Sequence, residues 1–262
     1  MDVDAYLARI GASRPPDPTP EALRELHERH LTTVPFENLS VHLPEPIELT
    51  EDALFDKIVR RRRGGFCYEL NGAFAALLRE LGFEVTLLSA RVWDGEHFGA
   101  PFDHLALQVD LDEPWLADVG FGRFARYPLR INGCEPQPDP EGEFLVLDAP
   151  DGDMDVMHEG KPAYRLERRP RELADFVPTC WWQATSPGSH FTQGPMCTLP
   201  RAEGRITLAG DRLIETVDGK RVERVLVGEE LRDAYRAYFG IDVNEAPAPG
   251  AFPAPGPRPF PN

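Results

Sequence analysis

Lysine is nearly missing from this 262-residue chain: Lys57, Lys161 and Lys220 are the only three among 28 basic residues, against 44 Asp and Glu. The formal charge of -16 at pH 7 excludes a surface that grips nucleic acid or an anionic bilayer as a whole, because both are polyanions. A local basic site stays open. Cysteine is sparse too. Cys67, Cys134, Cys180 and Cys197 form no C-x-x-C pair, which indicates neither a zinc ribbon nor a disulfide framework; no metal is expected, and a reducing cytosol is the expected home. No apolar run approaches the roughly 18 residues of a membrane span, and the start Met1-Asp2-Val3-Asp4 is acidic where a signal peptide would be basic. The expectation is a soluble, cytoplasmic protein with no nucleic-acid or membrane partner. What is present is enough for a core, with 42% hydrophobic residues. At about 150 residues per domain the length fits one large domain or two to three small ones. Arginine in place of lysine, with abundant Ala, Gly and Pro, is the composition of a GC-rich genome.

The first 82 residues read as mostly helical. Thr19-Pro20-Glu21 is a start signal, with Thr as cap and Pro at the first helical position, and the helix runs through Leu23, Leu26, His27 and His30. A second helix is expected over 52–62 after the cap Thr50. The clearest begins at about Cys67, where Leu70, Phe74, Leu77, Leu78 and Leu81 recur at helical spacing until Gly82 stops it. Beyond Gly82 the chain turns to short Val, Leu and aromatic runs, with strands expected over 84–93, 103–111, 115–121 and 143–147, the spacing of a small sheet or barrel. A meander over 205–208, 212–217 and 221–226 turns at Gly210-Asp211 and Asp218-Gly219, and a last helix spans 228–239. From Ala246 to Asn262 there are seven prolines in 17 residues, so the tail is expected to be extended or disordered.

Chemistry concentrates at Arg60-Arg61-Arg62-Arg63-Gly64-Gly65-Phe66-Cys67-Tyr68-Glu69-Leu70-Asn71. The glycines permit a tight turn and close backbone approach. Cys67 then opens the strongest helix, where unpaired N–H groups and the dipole favour thiolate; alternatively it is one more small buried residue. A thiolate needs a base, and the base an orienting acid. His104 opens the strand from Asp103, and Asp118 lies near the end of the next. A return centred on Leu111 would set 118 opposite 104, whereas one centred on Asp112-Glu113 would offset them. Flanked by Leu116, Ala117 and Val119, Asp118 reads as a buried carboxylate that needs a partner. Taken singly, His104 could be a strand-end histidine and Asp118 a turn residue.

Val34-Pro35-Phe36-Glu37-Asn38-Leu39, Arg63-Gly64-Gly65-Phe66-Cys67-Tyr68-Glu69-Leu70-Asn71, Asp103-His104-Leu105, Asp118-Val119-Gly120-Phe121-Gly122 and Ser186-Pro187-Gly188-Ser189-His190-Phe191 occur together in this order. In that the chain resembles the arylamine N-acetyltransferases. The resemblance implies an α+β fold of N-terminal helical bundle (1–82), central β-barrel (83–185) and C-terminal α/β lid (186–245), followed by the tail 246–262. It implies a Cys-His-Asp core like that of cysteine proteases and transglutaminases, with Cys67 as acyl-accepting nucleophile, His104 as base and Asp118 as the acid that orients it. Acetyl-CoA would be the cosubstrate, with no metal, and an aromatic amine, hydrazine or N-hydroxyarylamine would take the acetyl group in a ping-pong reaction. Phe36, Phe121 and Phe191 resemble the residues lining the acceptor pocket, although ordinary core phenylalanine is the competing reading. Gly188 and Ser189 would approach CoA, and Glu37 with Arg63 would form a structural ion pair.

The chain departs from the family at Trp181-Trp182-Gln183-Ala184-Thr185, where Val-Ser-Thr is expected, and over 93–102, which puts acceptor preference in question. The rival within the resemblance is an amide synthase closing an ansamycin-type polyketide macrolactam; a protease-like or transglutaminase-like enzyme is a more distant alternative. The Arg60–Arg63 run is either a solvated face or an attractor for the anionic donor. His27 and His30 are read as structural, lacking a third ligand, and no partner is apparent for His42, His97, His158 or His190.

Overall fold

The computed structural model describes residues 1–43, 45–202, 204–243 and 247. Helix α1 (Val3–Ile10) starts where the Asp2 carboxylate accepts the Ala5 N–H and stops at Gly11, which takes the left-handed conformation. Helix α2 (Pro20–Thr33) starts as its sequence predicts, with the Thr19 hydroxyl accepting the Ala22 N–H and Pro20 in the first turn. After the two-residue strand β1 (Phe36–Glu37) and the single turn α3 (Leu39–His42), helix α4 (Glu51–Phe55) follows the cap Thr50. It continues as a wider π turn over Asp56–Arg60 rather than as α-helix to 62. Helix α5 (Cys67–Glu80) is buried at every position from Cys67 to Leu78. Its apolar residues surround the axis instead of marking one stripe, so it serves as the central rod of the fold.

Eight strands among the described residues form one antiparallel sheet: β2 (Glu84–Val92), β3 (His104–Asp110), β4 (Pro114–Ala117), β5 (Leu129–Arg130), β6 (Gln137–Asp139), β7 (Gly142–Asp148), β8 (Met154–His158) and β9 (Lys161–Arg171). Their spatial order is β5-β4-β3-β2-β9-β8-β7-β6. The two edges come together as a nearly closed barrel, because the Gln137 side chain donates to the Arg130 carbonyl at 3.0 Å and accepts the Arg130 N–H at 2.7 Å. An edge closed in this way offers no free ladder to another chain. Alternation along β3 splits two cores: Leu105, Leu107 and Val109 pack on α5, while Ala106 joins Tyr164, Phe124 and Phe144 inside the barrel. His104 shares the Ala106 face.

Helix α6 (Val177–Thr185) leads into a second sheet of β10 (Met196–Arg201), β11 (Gly204–Ala209), β12 (Arg212–Val217) and β13 (Lys220–Val225), followed by helix α7 (Glu229–Phe239). The meander turns fall where Gly210-Asp211 and Asp218-Gly219 predict. The far edge of this sheet is β1, which pairs Phe36 with Thr198 and Glu37 with Cys197, so a segment of the helical region is also the first strand of the lid. Leu199, Leu208, Leu213, Tyr235 and Phe239 bury Leu39 in their own core. The α+β fold of bundle, barrel and lid is the one expected. The Pro-rich tail lies outside the described residues except for Pro247. No helix among the described residues is long and apolar enough to cross a membrane.

Candidate active site

The turn before α5 is as tight as its two glycines suggest. A methyl group on Gly64 would lie 1.9 Å from the Pro35 carbonyl oxygen, and the Gly65 carbonyl accepts the Glu37 N–H at 2.9 Å. Cys67 therefore enters as the first residue of α5, held from below by a group that the sequence did not reveal. The Glu69 carboxylate accepts the Phe66 N–H at 3.3 Å and, through its other oxygen, a hydrogen bond from Lys57 Nζ at 2.6 Å. Both side chains are buried. Burial pushes the Glu69 carboxyl up, and Lys57 opposes this. Removing one partner of a buried pair costs about 3–5 kcal/mol, so Lys57→Met is expected to lower stability by roughly 3 kcal/mol in denaturant unfolding. A carboxyl whose folded pKa is raised binds its proton more tightly folded than unfolded, so the deficit should shrink as pH falls and grow as it rises. A variant as stable as wild type at neutral pH would contradict this.

Asp118 does not belong to a strand. β4 ends at Ala117, and the next residues are claimed by side chains instead of a ladder: the Val119 N–H donates to Asn71 Oδ1 at 2.9 Å, and the Gly120 N–H to Asp118 Oδ1 at 3.0 Å. Leu107 pairs with Ala117 and Val109 with Trp115, which centres the return on Asp112. Position 118 is thus in line with Ala106, on the same face as His104, and the two side chains meet diagonally. His104 Nε2 lies 2.7 Å from Asp118 Oδ2, with both residues buried. Asp118 Oδ1 also accepts from Asn71 Nδ2 at 2.8 Å. Burial alone would push the Asp118 carboxyl up, but the His104 charge and hydrogen bond, with those from Asn71 and Gly120, outweigh it and hold the carboxyl below its ordinary range.

Cys67 lies beside the Asp118–Gly120 turn. A methyl on Gly120 would come within 2.7 Å of Cys67 Cα, and the backbone N–H of Leu105, the residue after His104, favours the ionised sulfur. The helix start alone predicts an easily formed thiolate; the structure corrects that. Burial pushes the Cys67 thiol well up, and the neighbouring Asp118 and Asp103 carboxylates add to it, with the Leu105 N–H working the other way. A lone thiolate is disfavoured here. One formed by handing its proton to His104 is a different species, because the pair as a whole keeps its net charge.

The three expected pocket phenylalanines gather around these residues. Phe121 stands edge-on to His104 with centroids 5.1 Å apart, and Phe191 edge-on to Phe66, the residue before Cys67, at 5.2 Å. Phe36 lies 6.2 Å from Phe191 by centroids, beside Gly122. Phe121 and Phe191 are half-buried, whereas Phe36 is buried. In the lid segment Gly188 is exposed but Ser189 is not. The Ser189 hydroxyl donates to Gln183 Oε1 at 2.7 Å and accepts the Phe191 N–H at 3.1 Å, so it faces inward.

Arg63 pairs with Glu37 at 2.9 Å and Glu45 at 2.8 Å, the structural role its motif implies. Arg60 and Arg61 stand beside Asp56, at 3.7 and 3.3 Å. Acids thus match most of the run, leaving little of its charge to attract an anionic donor. His27, His30, His42 and His158 have partners that are distant in the chain. His27 Nδ1 donates to the Arg126 carbonyl at 2.9 Å while its Nε2 accepts the Asp118 N–H at 3.1 Å, so it holds the Asp118 backbone as a neutral ring; burial pushes its pKa down. His42 and Asn38 both reach the Phe191 carbonyl, at 2.9 and 2.8 Å. Asn71 and Asn38 lie inside quoted motifs, yet their roles had no sequence signal beyond that membership. Among the described residues, no three His, Cys, Asp or Glu side chains group as a metal site.

A family model described as N-acetyltransferase matches residues 19–248. The arylamine N-acetyltransferase / N-hydroxyarylamine O-acetyltransferase of Salmonella typhimurium is 36% identical over 92% of this chain and 89% of its own length. The arylamine N-acetyltransferase of Mycolicibacterium smegmatis is 35% identical over 94% of each chain. Among solved structures, that of the Salmonella typhimurium enzyme superposes with a TM-score of 0.85 at 34% identity, covering 93% of this chain and 92% of the other. The Mycobacterium marinum enzyme in complex with CoA does so with a TM-score of 0.83 at 32% identity, covering 92% and 93%.

Proposed function

We propose, since this chain belongs to the arylamine N-acetyltransferase family, that Cys67, His104 and Asp118 carry an acetyl group from acetyl-CoA to an aromatic amine or hydrazine through a Cys67 thioester. The observation that carries the residue assignment is the 2.7 Å bond between His104 Nε2 and Asp118 Oδ2. With Asp118 ionised it must accept, so Nε2 holds the ring proton and Nδ1 is left with a lone pair. That nitrogen takes the proton from the Cys67 thiol as sulfur attacks the acetyl carbonyl carbon. When the tetrahedral intermediate collapses, the bond to the CoA sulfur breaks, and the leaving thiolate takes the proton back from Nδ1. CoA departs and vacates the pocket. An amine then attacks the thioester carbonyl, gives its proton to Nδ1, and expels the Cys67 sulfur, which recovers that proton.

Each half-reaction returns the charge of the site to its starting value, which suits a thiol whose free ionisation is penalised by burial. The ring of an arylamine finds aromatic surfaces in Phe121 and Phe191, and Phe36 backs the latter. Gly188, exposed in the lid, is the point at which backbone can approach CoA. The amide-synthase and protease-like readings gain no support from the site or from its relatives. Incubated with acetyl-CoA and no amine, the protein is expected to gain one acetyl group by intact mass, mapped to Cys67, and to lose it when an arylamine such as anisidine is added. An unmodified Cys67 after prolonged incubation would overturn the assignment.

A further inference from the structure

We infer that Gln183 is a positioning residue for the acceptor pocket, joining the strand end that carries His104 to the lid segment that carries Phe191. This rests on the acetyl-transfer reading above and adds a residue to it. Gln183 is buried on α6, while its neighbours Trp181 and Trp182 face solvent. Its amide is used at both ends. Nε2 donates to Asp103 Oδ1 at 2.7 Å, and Oε1 accepts from the Ser189 hydroxyl at 2.7 Å. The Ser189 oxygen in turn accepts the Phe191 N–H at 3.1 Å. An unbroken chain of hydrogen bonds thus runs from the residue before His104 to the amide of a pocket-lining ring.

Phe191 is gripped from two sides. Asn38 and His42, from the helical region, hold its carbonyl; the Gln183 chain holds its N–H. Without the second grip the ring would stay tethered but free to pivot against Phe66 and Phe36. Gln183 touches none of Cys67, His104 and Asp118, so with acetyl-CoA saturating the acetylation step should be spared and the effect should fall on the amine step. A glutamine is suited to this place because one amide supplies both the donor that the Asp103 carboxylate requires and the acceptor that the serine hydroxyl requires.

The test exchanges the acid and the amide. In Gln183→Glu two carboxylates would face each other, and kcat/KM for the amine at saturating acetyl-CoA is expected to fall at least about fivefold. The single-turnover rate of Cys67 acetylation at saturating acetyl-CoA should change less than about twofold, since no hydrogen bond to the triad is lost. Adding Asp103→Asn restores complementarity: the amide introduced on the strand donates to the carboxylate introduced on α6, and Ser189 still donates to that carboxylate, so the amine step should return close to wild type. Gln183→Leu, which removes both bonds without adding charge, gives the same direction if the glutamate variant proves too unstable to assay. An unchanged amine step in either single variant, a double variant no better than Gln183→Glu, or a parallel fall in both half-reactions would overturn the inference. If the wild-type protein forms no acetyl-enzyme, the functional reading fails first and takes this inference with it.

Discussion

Changing Cys67 to serine is expected to reduce acetyl transfer by about four orders of magnitude or more, as removal of a nucleophile does in triad enzymes, while the fold survives. Cys67 is 3% exposed and sits against Gly120, so a substitution that enlarged it would distort the site, but serine is smaller. The Leu105 N–H that favours the ionised sulfur is a donor near a serine hydroxyl in its place, so the new polar atom has a partner within reach. The loss must then come from chemistry. A serine hydroxyl holds its proton far more tightly than a thiol, and burial that already penalises a thiolate penalises an alkoxide more. His104 and Asp118 would remain in place with nothing they can deprotonate. Steady-state turnover of an arylamine, the intact mass after acetyl-CoA treatment and the thermal midpoint together decide the matter. A serine variant that keeps a tenth of the activity would remove Cys67 from the mechanism; one that has lost its folding transition would call for Cys67→Ala before any conclusion.

Much of the framework was legible because it follows from local rules. The Thr19-Pro20 start, the period of α5, its stop at Gly82 and the lid meander all depend on residues within a few positions of one another. Several elements escaped, of which β9 and α6 are the longest. β9 (Lys161–Arg171) buries only Tyr164 and Leu166 fully, and Arg168 and Arg169 are exposed, so it lacks the dense apolar alternation that marks a strand. α6 (Val177–Thr185) is written in Val, Thr and Trp with few good helix formers; tertiary packing of Cys180 and Gln183 holds it. The expected strand over 115–121 ends early at Ala117, because the Val119 and Gly120 amides bond the side chains of Asn71 and Asp118.

The site divides along the same line. Cys67, His104 and Asp118 could be picked out because ordered motifs surround them, but the bonds that arm them cross long stretches of chain. Asn71 reaches Asp118 from the helix that begins at Cys67, His27 holds the Asp118 backbone from α2, and Lys57 braces Glu69 from a π turn. No spacing rule connects residue 27 with residue 118. The hairpin register is of the same kind: only the pairing of Leu107 with Ala117 shows that His104 and Asp118 meet diagonally.

Asp118→Asn should be nearly as damaging as loss of the nucleophile, with activity falling by about 10^4, as when the acid of a serine-protease triad is made an amide. The size follows from where the amide must point. Asp118 Oδ1 receives two donors, Asn71 Nδ2 at 2.8 Å and the Gly120 N–H at 3.0 Å. In the variant the amide oxygen has to remain there, because an NH2 group in that place would face two other donors. The new NH2 is then forced toward His104 Nε2, 2.7 Å away in the wild-type protein. Nε2 must become the acceptor, so the ring proton moves to Nδ1, the nitrogen that should receive the proton from Cys67. The base is not weakened so much as turned the wrong way round. Because the charge leaves with the carboxylate, no buried anion is stranded, and stability should change far less than activity. The wild-type carboxyl is held below its ordinary range, so Asp118 stabilises the fold at neutral pH and that contribution disappears as pH falls through the depressed folded value; the variant should lack this acid-side loss. Single-turnover acetylation, iodoacetamide inactivation of Cys67 and unfolding as a function of pH test the three consequences together. Acetylation within tenfold of wild type would mean that His104 does not depend on Asp118 for its tautomer.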